Sequence, residues 1–181
     1  MRARVSLIIT LGSLSSLGVG LLGPIYPIFV LNRFSASVID IGMLLTVFGF
    51  VSALLKAPAG KLVDVYGAKK IFFIGIALGA LCSLTYVFAF SLTHLYIVEF
   101  LFGVSYALQS PARLALIMDV NDVGGRGLIL GIFESAYDLA GAVAALIAAV
   151  IASNFGFEAV FYACFGCQIL TAILILKSKH I

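Results

Sequence analysis

Charge is what this sequence has least of. Charged residues make up 10% of 181, well below the share of about a quarter that covers the surface of a soluble domain. The formal net charge of +3 comes from basic residues set at the ends of apolar runs. None of them cluster on one face, which excludes the footprint of a nucleic-acid partner. Tryptophan is missing and His occurs twice. His94 stands in a minimal polar turn, without the ligand company a metal needs. The three cysteines, Cys82, Cys164 and Cys167, lie within apolar runs and leave the redox compartment unread. Cys164 and Cys167 form a CxxC pair, but no His or third thiol stands near, so they read as small packing residues. There is no Gly-x-Ser-x-Gly, no His-Glu-x-x-His and no phosphate loop, so nothing here points to an enzyme, a cofactor or a metal.

What remains is apolar sequence in quantity. With 63% hydrophobic residues and a mean hydropathy of +1.22, the chain reads as an all-α integral membrane protein whose first partner is the lipid bilayer. Six apolar runs, at about 5–31, 38–62, 71–90, 95–118, 128–152 and 159–176, have the length of membrane spans and form a single six-span domain. The first imitates a secretory signal, yet it is too long and lacks a small-residue cleavage site, so it is expected to be retained. Its Ser- and Gly-rich half leads into Gly23-Pro24-Ile25-Tyr26-Pro27. The prolines free backbone carbonyls that lipid cannot satisfy. Tyr26 therefore lines protein or a water-filled cavity, or else belongs to an ordinary kinked packing helix. Gly75 and Gly79 form a GxxxG pair for helix packing. Of the 11 Lys and Arg residues, all but Arg33 fall on one side of the spans. The expectation is a multi-pass protein of the plasma (inner) membrane with both termini cytoplasmic.

Carboxylates inside spans are the candidates for chemistry. Glu99, in a fourth span that also carries Gln109, either snorkels from the outer third of its helix or sits buried as a functional group. Glu134 and Asp138 are four residues apart on one face of the fifth span. They lie roughly 10 and 17 Å into a core about 30 Å thick. Such a pair is expected to hold a shared proton, in a water-filled cavity or opposite a cationic ligand. Lys56 is expected to snorkel. No Lys or Arg is expected deep in any span, which disfavours an anionic substrate and favours a lipophilic cation or a neutral solute moving with a proton.

The turn between the second and third spans reads Gly60-Lys61-Leu62-Val63-Asp64-Val65-Tyr66-Gly67-Ala68-Lys69-Lys70. Gly60 and Gly67 are expected to let the backbone bend. Asp64 is expected on the last turn of a helix, where the macrodipole disfavours an unpaired carboxylate by roughly 0.3–1 kcal/mol. This stretch resembles the loop signature of the major facilitator superfamily, Gly-x-x-x-Asp-Arg-x-Gly-Arg-Arg/Lys, with Val65 and Ala68 in place of two arginines. The segment from Pro111-Ala112-Arg113 through Asp119, then Arg126-Gly127, is similar to the family's connection between helices four and five. The first span is similar to that of drug-exporter-like members. Two departures stand out: Glu99 occupies the place of an Arg four residues before Gly103, and Gly141-Ala142 replaces the Gly-Pro pair of antiporters.

The resemblance implies one six-helix half of a secondary transporter. Helices one and four would line the cavity, and helices two and five would meet another half, either a second copy or a separate chain. It also implies that the loop residues Gly60, Asp64, Gly67, Lys69, Lys70, Arg113, Asp119 and Arg126 serve conformational change. Asp64 would then meet the start of the fifth helix, around Gly124 to Gly127, in the opposite half. The candidate substrate or proton residues are Glu134, Asp138, Glu99, Gln109 and Tyr26. The alternative is a membrane protein that does not transport, a truncated remnant or an assembly partner of a transporter.

Overall fold

Apolar sequence in a lipid solvent folds as helix because a helix satisfies every backbone N–H and C=O within its own segment. The computed structural model describes residues 2–119 and 125–178. Asp122, Gly124 and Lys179 lie outside the described residues, as does the side chain of Arg126. The described residues form α1 (Arg2–Gly20), α2 (Ile25–Phe34), α3 (Val38–Tyr66), α4 (Ala68–Val87), α5 (Leu92–Met118), α6 (Arg126–Phe155) and α7 (Phe157–Lys177). They contain no strand. α1 and α2 make one broken span, so six helical segments are long and apolar enough to cross a membrane.

The breaks follow from local chemistry. Pro27 has no N–H for the carbonyl four residues back, and the chain turns through residues 21–24 between α1 and α2. Ser37 starts α3 with a capping box: its backbone N–H donates to Asp40 Oδ2 at 2.8 Å, and its hydroxyl accepts from the Asp40 N–H at 3.2 Å. α3 runs on to Tyr66, past the expected end at 62. Gly67 alone makes the bend, at φ +89°, a conformation only glycine adopts without strain. Gly60 does not bend the chain as expected, because it lies inside α3 with open space beside it.

α5 packs between α3 and α4, while α1 packs on α6 and α7 and α4 packs on α7. The closest approach of backbone to backbone at a glycine is at Gly20, where an added Cβ would come within 2.9 Å of both the Cα and the carbonyl oxygen of Gly141. One apolar core gathers around Tyr86 and Phe161, the other around Phe72 and Ile117. α3 and α6 stand at the margins of the bundle and are the least covered spans. α6 has three faces. Phe133, Ala144 and Ala148 are buried, while Leu128, Ile132, Leu139 and Leu146 are exposed and suit lipid. A third strip of Gly127, Gly131, Ser135, Asp138 and Ala142 is also exposed. α3 repeats the pattern with Gly42, Thr46, Ala53 and Asp64.

Candidate functional site

Ser91 caps α5, its hydroxyl accepting from the His94 N–H at 3.2 Å, and Glu99 follows about 12 Å further along the helix. Its side chain does not snorkel: Glu99 is 3% exposed and accepts a hydrogen bond from the Tyr86 hydroxyl at 2.7 Å. Among the described residues no cation pairs with it. Tyr26, just after the helix break, lays its ring against Tyr86 with centroids 5.3 Å apart. The Tyr26 hydroxyl is buried beside Glu99 but makes no hydrogen bond of good geometry. These groups border a cavity of about 150 Å³ whose remaining wall includes Gly23, Phe48 and Phe102. A carboxylate hydrogen-bonded to one phenol and beside a second thus faces an otherwise apolar space, where a charge with no cation to neutralise it is costly.

Gln109 sits elsewhere, in a belt of polar side chains that ties three helices together. Its amide nitrogen donates to the Gly75 carbonyl at 3.2 Å and to the Ser105 hydroxyl at 2.9 Å, and its amide oxygen accepts from Ser15 at 3.2 Å. Ser105 donates to the same Gly75 carbonyl at 2.8 Å. Gly75 makes this possible, since a Cβ there would meet Gln109 Cγ at 2.8 Å. Fully used in this way, Gln109 acts as interhelical glue.

The carboxylates of α6 differ from expectation. Glu134 faces Arg113 on α5, with Nη2 and Oε1 3.7 Å apart. Asp138 is exposed, and among the described residues no hydrogen bond links it to Glu134. Arg113 does not bracket the cytoplasmic turn. It lies within α5 with its side chain 10% exposed, its guanidinium carbon 3.6 Å from the centroid of the Tyr137 ring. Arg113 is turned inward within the last two turns of α5, where stacking and a carboxylate on the next helix make its burial tolerable. Lys56 is exposed on α3, as snorkelling requires, with its ammonium 5.3 Å from the Tyr106 ring.

Along the turn from α3 to α4, Asp64 is exposed and forms no ion pair among the described residues. Lys69 donates to the Ser178 carbonyl, joining this turn to the end of α7. Lys70 lies over the Tyr66 ring at 5.5 Å. Asp119 ends α5 and is exposed, and the Arg126 backbone begins α6. Of the expected binding residues, then, Tyr26 and Glu99 share a cavity, Glu134 joins Arg113, and Gln109 and Asp138 are apart from both. Sequence reasoning missed Tyr86 and Tyr137. A phenol inside an apolar span needs a hydrogen-bonding or cationic neighbour, and that requirement was the available signal.

Comparison with known proteins bears on this geometry. The family model described as Major Facilitator Superfamily matches residues 8–180. An uncharacterized MFS-type transporter of Methanocaldococcus jannaschii is 28% identical over 87% of this chain and 41% of its own length. The multidrug resistance protein MdtG of Salmonella schwarzengrund is 30% identical over 85% of this chain and 39% of its own. Multidrug resistance protein 2 of Bacillus subtilis is 31% identical over 66% of this chain and 30% of its own. The chain thus spans well under half the length of each of these relatives.

Proposed function

Because the chain belongs to the major facilitator superfamily, a family of transporters and not of enzymes, we propose that it takes part in secondary active transport of a small organic solute, linked to protons and favouring lipophilic cations or neutral organics. The observation that carries this reading is Glu99, a carboxylate 3% exposed with no basic partner among the described residues. Inside a membrane such a group holds either a proton or a cation. The names of two relatives, both multidrug resistance proteins, support an organic substrate.

Transport on this reading needs a second six-helix half, a second copy of this chain or a separate one. The exposed strips of Gly, Ala, Ser and carboxylate on α3 and α6 support that need, since small residues favour helix contact over lipid contact. The distribution of Lys and Arg supports an inner-membrane protein of one six-span domain with both termini cytoplasmic. Proteoliposomes holding the protein and its second half test the reading. An imposed pH gradient should drive flux of an organic cation, and Glu99→Gln should abolish the dependence on pH. Flux that keeps its full pH dependence in Glu99→Gln would refute the role of this carboxylate.

A further inference from the structure

The cavity beside Glu99 has a size, a wall and a charge that together select a ligand. Its volume of about 150 Å³ is that of cavities that take a benzene-sized guest. Four aromatic rings run around it in sequence. Tyr26 meets Tyr86 at 5.3 Å, Tyr86 meets Phe102 at 6.2 Å, and Phe102 meets Phe48 at 5.6 Å between centroids. Aromatic faces around a carboxylate attract alkylated ammonium groups, which are too weakly hydrated to be held by water and too blunt for a hydrogen-bonding cage. The Gly23 wall adds backbone: Pro27 supplies no N–H to the Gly23 carbonyl, and no side chain at Gly23 narrows the space.

We infer that the cavity between Tyr26, Tyr86 and Glu99 is a head-group subsite for compact alkylammonium cations, which compete there with a proton for the Glu99 carboxylate. This deepens the transport reading on which it rests by naming the shape of the cation. A head group near the size of tetramethylammonium fits within the cavity, whereas the whole of tetraphenylphosphonium exceeds its volume of about 150 Å³. The titratable groups near Glu99 are Tyr86 and Cys82 from α4 and Tyr26 from α2, with Tyr96 of α5 beside Tyr26. α3 contributes Leu45 and Phe48, which carry no charge. With no competing cation built in, proton and ligand exclude one another at one site.

The sequence supplies its own probe. It has no Trp and 7 Tyr, so tyrosine emission of the purified chain in detergent reports directly on rings such as Tyr26 and Tyr86. Titration with tetramethylammonium should change that emission saturably, and the apparent affinity should rise as the pH is raised. Glu99→Gln should weaken binding by at least about tenfold, the loss that follows removal of one partner from a buried charge pair. Tetraphenylphosphonium should not displace tetramethylammonium from the wild-type protein, a measurement that needs no variant to fold. Equal binding to Glu99→Gln, binding indifferent to pH, or displacement by tetraphenylphosphonium would each overturn the subsite. Binding without flux in proteoliposomes would support the subsite and remove the transport reading. Flux of organic cations without tetramethylammonium binding would do the reverse.

Discussion

Replacing Glu134 by Gln keeps the shape of the side chain and removes the charge that faces Arg113. At 3.7 Å and an effective dielectric near 20, the gross attraction is about 4 kcal/mol. Two features reduce it. The Glu134 side chain is 40% exposed and loses only part of its hydration in the fold. The contact is also a single one, longer than a direct hydrogen bond. The net coupling should fall between that of exposed pairs and that of buried ones, about 1–2 kcal/mol. Arg113 keeps its stack on Tyr137, 3.6 Å from the ring centroid, worth about 0.5–2 kcal/mol, so Glu134→Gln should still fold. Reversible unfolding in detergent of the wild type, Glu134→Gln, Arg113→Gln and the double variant closes a thermodynamic cycle. A coupling below about 0.3 kcal/mol would refute the pairing and return Glu134 to the free carboxylates.

Three further outcomes test the packing and the assembly. Gly20→Ala should destabilise the protein by about 1–3 kcal/mol, because its Cβ would meet backbone atoms of Gly141 at 2.9 Å. Gly131→Ala, with nothing within 4 Å, should stabilise the isolated chain by about 0.5–1 kcal/mol; chemical denaturation in detergent distinguishes the two. If the second half is another copy, Asp64→Cys in one chain should cross-link to Gly127→Cys in the next, since the free N–H groups of the first turn of α6 suit the Asp64 carboxylate. Only monomers on a gel, with transport intact, would rule out the two-copy arrangement.

The helical fold and its six crossings were legible in the sequence because lipid leaves the backbone few choices: each apolar run must satisfy its own hydrogen bonds, and glycine marks the bend at Gly67. The prolines near Tyr26 pointed to freed carbonyls or a kink, since proline lacks a donor, but the full break of the first span at residues 21–24 is seen only in the structure. The end of α3 at Tyr66, beyond the apolar run that stops at 62, was marked only by the expectation for Asp64, because hydropathy shows where a helix leaves lipid and says little about where it ends.

The partners of the charged residues were settled only in three dimensions. Along α6, spacing put Glu134 beside Asp138, but the rotation of α5 brings Arg113 to Glu134 and leaves Asp138 at the exposed margin. Ser15 meets Gln109 across 94 positions of sequence, and Ser16 donates to the Tyr137 carbonyl across 121. No local pattern carries such pairings. The sequence by itself determined that this chain crosses a membrane as helices with carboxylates inside it. Which of those carboxylates lacks a cation was decided by helix packing, because a charge within a bundle is neutralised by whatever neighbouring helix turns toward it.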